Sequence, residues 1–295
     1  MAFWVSRDRG IRHVAVPRAA EVENALKTAP SIASPGFYLP QRTLDFNNGT
    51  DGASATALFD DGAGETYYEL DNPYNAGAEA MHGRTWALAS GGGETTFEFG
   101  GYLDPPGGTL GEGDEVWLRI RMRWPTNGWE ESNPHLKFMR LRELNGGSYA
   151  GGYTDMYIDT SLGAVSGSLK FIKETVNQWY YWDGNVVLTP GIWQTIEWYV
   201  KLSTDSSVGV VRLFVDGQKV QLYADDSNST PVGDNVQTLN GGVIDALLLF
   251  TYWNAGGLYR PAHDQYVDIE DYAITTNANP PPIRNNGFRM IDPGV

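Results

Sequence analysis

The chain has 295 residues, 41% of them hydrophobic, and a formal net charge of −15. That apolar share supports a packed core rather than a disordered polymer, and the acidic balance repels nucleic acid and argues against it as a partner. The absence of cysteine excludes disulfides and thiolate zinc sites, and no stretch approaches the roughly 18 apolar residues of a membrane span.

Residues 1–45 form an N-terminal arm with six basic and four acidic side chains, a net of +2. It has no apolar run after a basic start, so no secretion signal is expected. Within it, "RAAEVENALKTA" (18–29) reads as a short helix with Ala19, Val22, Ala25 and Leu26 near one face, closed by "PSIASPG". Residues 46–276 read as one body of strands punctuated by turns. "TTFEFGGY" (95–102) comes first. "EVWLRIRMRW" (115–124) then sets Leu118, Ile120, Met122 and Trp124 against Trp117, Arg119, Arg121 and Arg123. "HLKFMRLREL" (135–144) sets Leu136 and Phe138 opposite His135 and Lys137, and "YTDMYIDT" (153–160) gathers Tyr153, Asp155, Tyr157 and Asp159 on one face. "GSLKFIKE" (167–174) and "QWYYWDG" (178–184) follow. "IWQTIEWYVKL" (192–202) sets Ile196, Trp198, Val200 and Leu202 against Trp193, Thr195, Glu197, Tyr199 and Lys201. In "GVVRLFVDGQKVQLY" (209–223), Asp216-Gly217 is the dipeptide of a type I′ hairpin turn. "ALLLFTYW" (246–253) and "QYVDIEDYAIT" (265–275) close the body. Residues 277–295 are a proline-rich C-terminal arm of net charge +1, which leaves −18 on the body. The predicted fold is all-β: an antiparallel β-sandwich, a jelly roll with extended arms at both ends.

The four histidines (His13, His82, His135, His263) have no metal-ligand spacing, and no cofactor is expected. The loops at 46–65 and 223–235 are rich in Asp, Asn and Gly, the oxygen-bearing chemistry of a structural calcium site, although no D-x-D-x-D-G frame is present. The same residues serve ordinary solvated turns.

The polar strand faces together offer Arg119, Arg121, Arg123, Lys137, Tyr153, Tyr157, Trp193, Glu197 and Tyr199. If these strands share a sheet, they form a carbohydrate-binding surface, with rings for sugar faces and planar charges for hydroxyls. The alternative is that cross-strand pairs of opposite charge stabilise an ordinary solvated face. Paired carboxylates for glycoside hydrolysis are absent in the required Glu-x-Asp-x-Glu form; "DMYID" and Asp268 with Glu270 are the nearest matches.

The order "PGIWQTIEWYVKL", "GVVRLFVDGQKV", "LLLFTYWNAGG", "DQYVDIEDYAITT" resembles the concanavalin A-like lectin/glucanase superfamily over roughly residues 80–276. "HLKFMRLREL" sits where the jelly-roll polysaccharide lyases have a strand of similar character. "RLREL" (140–144) is similar to the Arg-x-Glu-Leu strand of one alginate lyase family, and "YWNAGG" (252–257) to its Tyr-x-Lys-Ala-Gly strand. Asn254 stands in place of that lysine, and a Gln-Ile-His motif is missing. The resemblance implies Arg140 as neutraliser of a uronate carboxylate, Tyr252 as the proton-transferring tyrosine and His135 as a substitute base.

Two functions follow. The arms and the lack of an export signal favour a non-enzymatic, carbohydrate-binding-type sandwich within an assembled particle, such as a bacteriophage capsid decoration or tail protein. Its arms would hold copies of itself or other particle subunits, on the virion surface or in the cytoplasm before assembly. The alternative is a polysaccharide lyase that cleaves uronic-acid polymers by β-elimination.

Overall fold

The computed structural model describes residues 40–46, 49–60, 66–70, 81–87, 101–123, 135–159, 168–253 and 265–277. The helix predicted at 18–29 and residues 278–295 of the C-terminal arm lie outside them.

Sixteen strands follow in chain order: β1 (Arg42–Asp45), β2 (Thr66–Leu70), β3 (Met81–Ala87), β4 (Gly101–Leu103), β5 (Glu115–Arg123), β6 (His135–Asn145), β7 (Ser148–Asp159) and β8 (Leu169–Lys173). Then come β9 (Gln178–Trp182), β10 (Trp193–Lys201), β11 (Val210–Val215), β12 (Gln218–Val220), β13 (Leu222–Tyr223), β14 (Pro231–Val232), β15 (Val243–Trp253) and β16 (Gln265–Thr276). They form two antiparallel sheets. The first has the order β12-β11-β10-β5-β16-β3-β2, with β1 also pairing β16; the second has the order β14-β13-β9-β8-β7-β6-β15-β4. Residues 42–45, at the end of the segment read as an arm, are therefore an edge strand of the sandwich.

Period-two alternation builds the core. Leu118, Ile120 and Met122 of β5, Ile196, Trp198 and Val200 of β10, and Leu213 of β11 are buried from the first sheet. Leu136, Met139, Leu141, Met156, Ile158, Phe171, Leu247 and Leu249 join them from the second in one continuous cluster. Burying side chains of this size stabilises the fold by about 1.5–3 kcal/mol each before entropy is counted.

The Asp216-Gly217 turn forms as expected, with φ of 49° and 77°; Gln218 pairs with Val215 directly across it. A second tight turn joins β6 to β7. Gly146 and Gly147 have φ of 60° and 79°, and Asn145 pairs with Ser148.

Glu143 corrects one expectation: it does not pair with Arg140 or Arg142. It is buried on the core side, 2.6 Å from the Lys173 ammonium, and accepts the Asn240 and Gly242 amides at 2.7–3.0 Å. Arg142 instead pairs with Asp245 on β15. The pair Glu143–Lys173 is shut off from solvent on both sides, so each charge depends on the other.

Candidate functional site

The polar face of the second sheet is organised by a β-bulge. In β6, Lys137 pairs with Tyr157 and Met139 with Met156, so Phe138 is an extra residue without a counterpart. Simple alternation would send Lys137 and Arg140 to opposite faces. The bulge resets the alternation, so that Lys137, Arg140 and Arg142 stand opposite Tyr157, Asp155 and Tyr153 of β7. Phe138 and Met139 are both fully buried.

Four charged side chains and two rings then converge. Arg140 donates to Asp155 through Nε (2.8 Å) and Nη2 (3.1 Å), and its guanidinium stacks 3.6 Å from the centroid of the Tyr153 ring. Glu174 opens a single 3-10 turn (Glu174–Val176) after β8. Its Oε1 accepts three donors: Lys137 Nζ at 2.9 Å, Arg140 Nη2 at 3.1 Å and the Tyr157 hydroxyl at 3.1 Å. Trp179 of β9 meets Tyr157 edge to face, centroids 5.3 Å apart. Arg140 and Asp155 are only 1% and 0% exposed, whereas the Glu174 side chain is 27% exposed, so Glu174 is the solvent-side member of the cluster.

Burial sets the electrostatics. It pushes the Asp155 carboxyl up to about 6 against the pull of Arg140, with the negative charge of Glu174 adding to the rise. Burial also raises the Tyr157 phenol far above its ordinary range, helped by Asp155 and Glu174, so the hydroxyl stays protonated. For Glu174 burial again acts upward, but Arg140 and Lys137 outweigh it and hold the carboxyl below its usual value.

Beyond the cluster a row of residues crosses the sheet. Backbone pairing aligns Tyr252 (β15), Lys137 (β6), Tyr157 (β7), Lys170 (β8), Tyr181 (β9) and Tyr223 (β13). Lys137 Nζ lies 5.7 Å from the Tyr157 ring centroid and Lys170 Nζ 5.6 Å from that of Tyr181. Lys170, Glu174, Trp179 and Tyr181 were not singled out from the sequence. Lys170 and Tyr181 carry a period-two signal in their own strands; Glu174 stands in a turn, where periodicity is silent.

The carbohydrate-binding residues expected on one surface divide between two. Lys137, Tyr153 and Tyr157 are on the second sheet; Arg119, Arg121, Arg123, Trp193, Glu197 and Tyr199 are on the outer face of the first. β5 pairs with β10 and β16 and has no partner among β6–β9, so the single shared surface does not form. The arginine row is acid-paired. Arg119 lies 3.8 Å from Glu197, Arg123 lies 2.7 Å from Asp268, and Arg121 pairs with Glu270. The Trp193 ring stacks under Arg123 and Arg121 at 4.8 and 5.5 Å, and Tyr199 donates to Glu115. This is the cross-strand charge pairing of a solvated face.

Arg140 is not placed as an open carboxylate neutraliser, since Asp155 occupies its fork and solvent does not reach it. His135 and Tyr252 lie within β6 and β15; their backbones pair with Asp159 and Lys137, and their side chains are outside the described residues. In the 223–235 loop the carboxylates are taken by protein donors. Asp225 accepts Ser227 and Ser229, and Asp234 accepts Arg212 and Lys219. Among the described residues no group of three His, Asp or Glu converges as metal ligands.

No family model matches the chain, and no curated protein matches it in sequence. Solved structures do. A doubly substituted form of the alginate lyase Aly36B, in complex with an alginate trisaccharide, superposes with a TM-score of 0.54 at 15% identity, over 80% of this chain and 98% of that one. The marine PL-14 alginate lyase from Aplysia kurodai gives 0.53 at 11% identity, over 81% and 100%. These neighbours overturn the expectation of a non-enzymatic component of an assembled particle: they are polysaccharide lyases, and they back the lyase alternative instead. The chain is an all-β jelly roll of the concanavalin A-like kind, with the architecture of the alginate lyases.

Proposed function

We propose that this protein is a polysaccharide lyase that cleaves a uronic-acid polymer by β-elimination. The observation that carries the reading is the meeting of Lys137, Arg140 and Tyr157 on one carboxylate oxygen at the polar face of the second sheet. Elimination needs such a place. Loss of the C5 proton builds negative charge beside the uronate carboxylate, and fixed cations and hydrogen-bond donors lower its cost.

In the proposed reaction a base takes the C5 proton, the C5–H electron pair becomes the C4–C5 double bond, and the C4–O bond breaks. The departing oxygen takes a proton. Lys137 offsets the carboxylate charge, with Arg140 beneath it. Tyr157, kept protonated by its burial, suits the donor role. Tyr252 is the first choice for the base because its backbone pairs directly with Lys137, and His135, two residues before Lys137, is the second. The Tyr–Lys row runs across the strands, which lie about 4.8 Å apart, a spacing comparable to the repeat of a pyranose chain. Its rings and ammonium groups suit a polymer of sugar faces and carboxylates.

Alginate is the first polymer to test, because the similar structures are alginate lyases. Ultraviolet absorbance of an unsaturated uronate should rise when the protein is mixed with alginate, glucuronan or a heparin-type polymer, with and without calcium. A rise that disappears in Lys137→Ala supports the reading. A flat trace with folded protein on every polymer overturns it.

A further inference from the structure

Glu174 is in the place where a ligand carboxylate would be held. It stands on the solvent side of the three donors, and only one of its oxygens, Oε1, gathers all of them: Lys137, Arg140 and Tyr157. The Lys137 side chain is 7% exposed, while Arg140 and Tyr157 are each 1% exposed, against 27% for Glu174. The carboxylate thus lies over donors that are otherwise shut off from water. Charge gives the same answer. Within the cluster Lys137 and Arg140 carry two positive charges, Asp155 neutralises one through a two-point pair with Arg140, and Glu174 neutralises the other. Without Glu174 the set is short of one carboxylate, which is what a single uronate unit supplies.

The turn that carries Glu174 is itself anchored. Thr175 Oγ1 donates to the Gly151 carbonyl at 2.8 Å, and the Asn177 amide closes the turn on the Glu174 carbonyl at 3.0 Å, with Asn177 in the left-handed region at φ 47°. The backbone holds its place while the side chain has rotamers leading to solvent. We infer that Glu174 is a built-in occupant of a carboxylate-binding site formed by Lys137, Arg140 and Tyr157, and that an anionic sugar binds there by displacing it. The inference deepens the lyase reading and rests on it for the identity of the ligand, but the carboxylate site can be tested separately.

The experiment uses the full chain as wild type, Glu174→Gln and Glu174→Ala, with an alginate oligosaccharide and its carboxyl-reduced, uncharged counterpart titrated by calorimetry. Glu174→Gln removes the competing charge and keeps the shape, so the anionic oligosaccharide should bind about tenfold tighter than to wild type, with the uncharged one unchanged. Equal or weaker binding of the anionic sugar to Glu174→Gln overturns the inference. In a second arm, sodium formate is added to Glu174→Ala during thermal unfolding. Formate that fills the vacated site raises the melting temperature of Glu174→Ala and leaves wild type unmoved, by the mass action of a ligand on the folded state. If neither protein binds the sugar, the formate arm decides: rescue keeps the carboxylate site and removes the lyase reading, and no rescue overturns the inference.

Discussion

Arg140 and Asp155 face each other across β6 and β7 in a two-point ion pair, 2.8 and 3.1 Å apart, and neither is reached by solvent. The pair is the floor of the site rather than its working surface. It turns a strand-end bulge into a fixed platform, with the Tyr153 ring packed on the guanidinium and Glu174 above.

Removing one partner should therefore be felt in stability. Arg140→Met leaves the Asp155 carboxylate buried and uncompensated, an imbalance of about 3–5 kcal/mol. Urea unfolding of Arg140→Met and of the double variant Arg140→Met/Asp155→Leu checks it. The double variant should recover much of the loss, and a single variant as stable as wild type would sink the prediction.

Asp155 also makes a pH prediction. Its folded value of about 6 lies above the ordinary 3.8, so the folded state binds its proton more tightly. The stability it contributes is fully present below about pH 4 and is lost as pH rises through about 6. The gap corresponds to on the order of 3 kcal/mol. Glu174, held below its ordinary value, acts oppositely: its contribution is present at higher pH and is lost on acidification. A carbon-detected NMR titration should find an Asp155 midpoint near 6, absent in Asp155→Asn. A midpoint below 4 would contradict the assigned burial effect.

Activity should separate the two sheets. Lys137→Ala and Tyr157→Phe should each lower kcat/KM by about 10²–10⁴-fold, the usual scale for losing a charge stabiliser or a positioned acid. Arg121→Gln, on the outer face of the first sheet, should leave kcat/KM within about twofold and change stability by about 1 kcal/mol or less, as expected of a partly exposed pair. Steady-state kinetics on the polymer that gives product, with melting curves alongside, make the comparison. A loss of activity in Arg121→Gln as large as in Lys137→Ala would move the site to the other sheet.

The hairpin of β11 and β12 has its own test. Gly217 has φ of 77°, a conformation that costs a side-chain-bearing residue roughly 1–2 kcal/mol. Gly217→Ala should lower the urea midpoint by that amount without changing the site. Gly52, also at positive φ (74°) and with open space around it, serves as a loop comparison.

Alternation and turn chemistry were legible from the residues alone. Leu118, Ile120 and Met122 face the core opposite three arginines, Ile196, Trp198 and Val200 do the same on β10, and Asp216-Gly217 turns the chain. Tyr153, Asp155 and Tyr157 share a face as their spacing required. These features depend on neighbours one to four residues away, and the chain itself specifies them. Which sheet each strand joins depends on partners far off. Arg121 meets Glu270 across 149 positions of sequence, and the arginine row is separated from Lys137 because β5 lies between β10 and β16. A period of two assigns a side chain to a face and says nothing about the strand beside it. The extra residue Phe138, which brings Arg140 to the same face as Lys137, and Glu174, which reaches over them from a turn, are visible only once the strands are paired, because both are set by register rather than by composition.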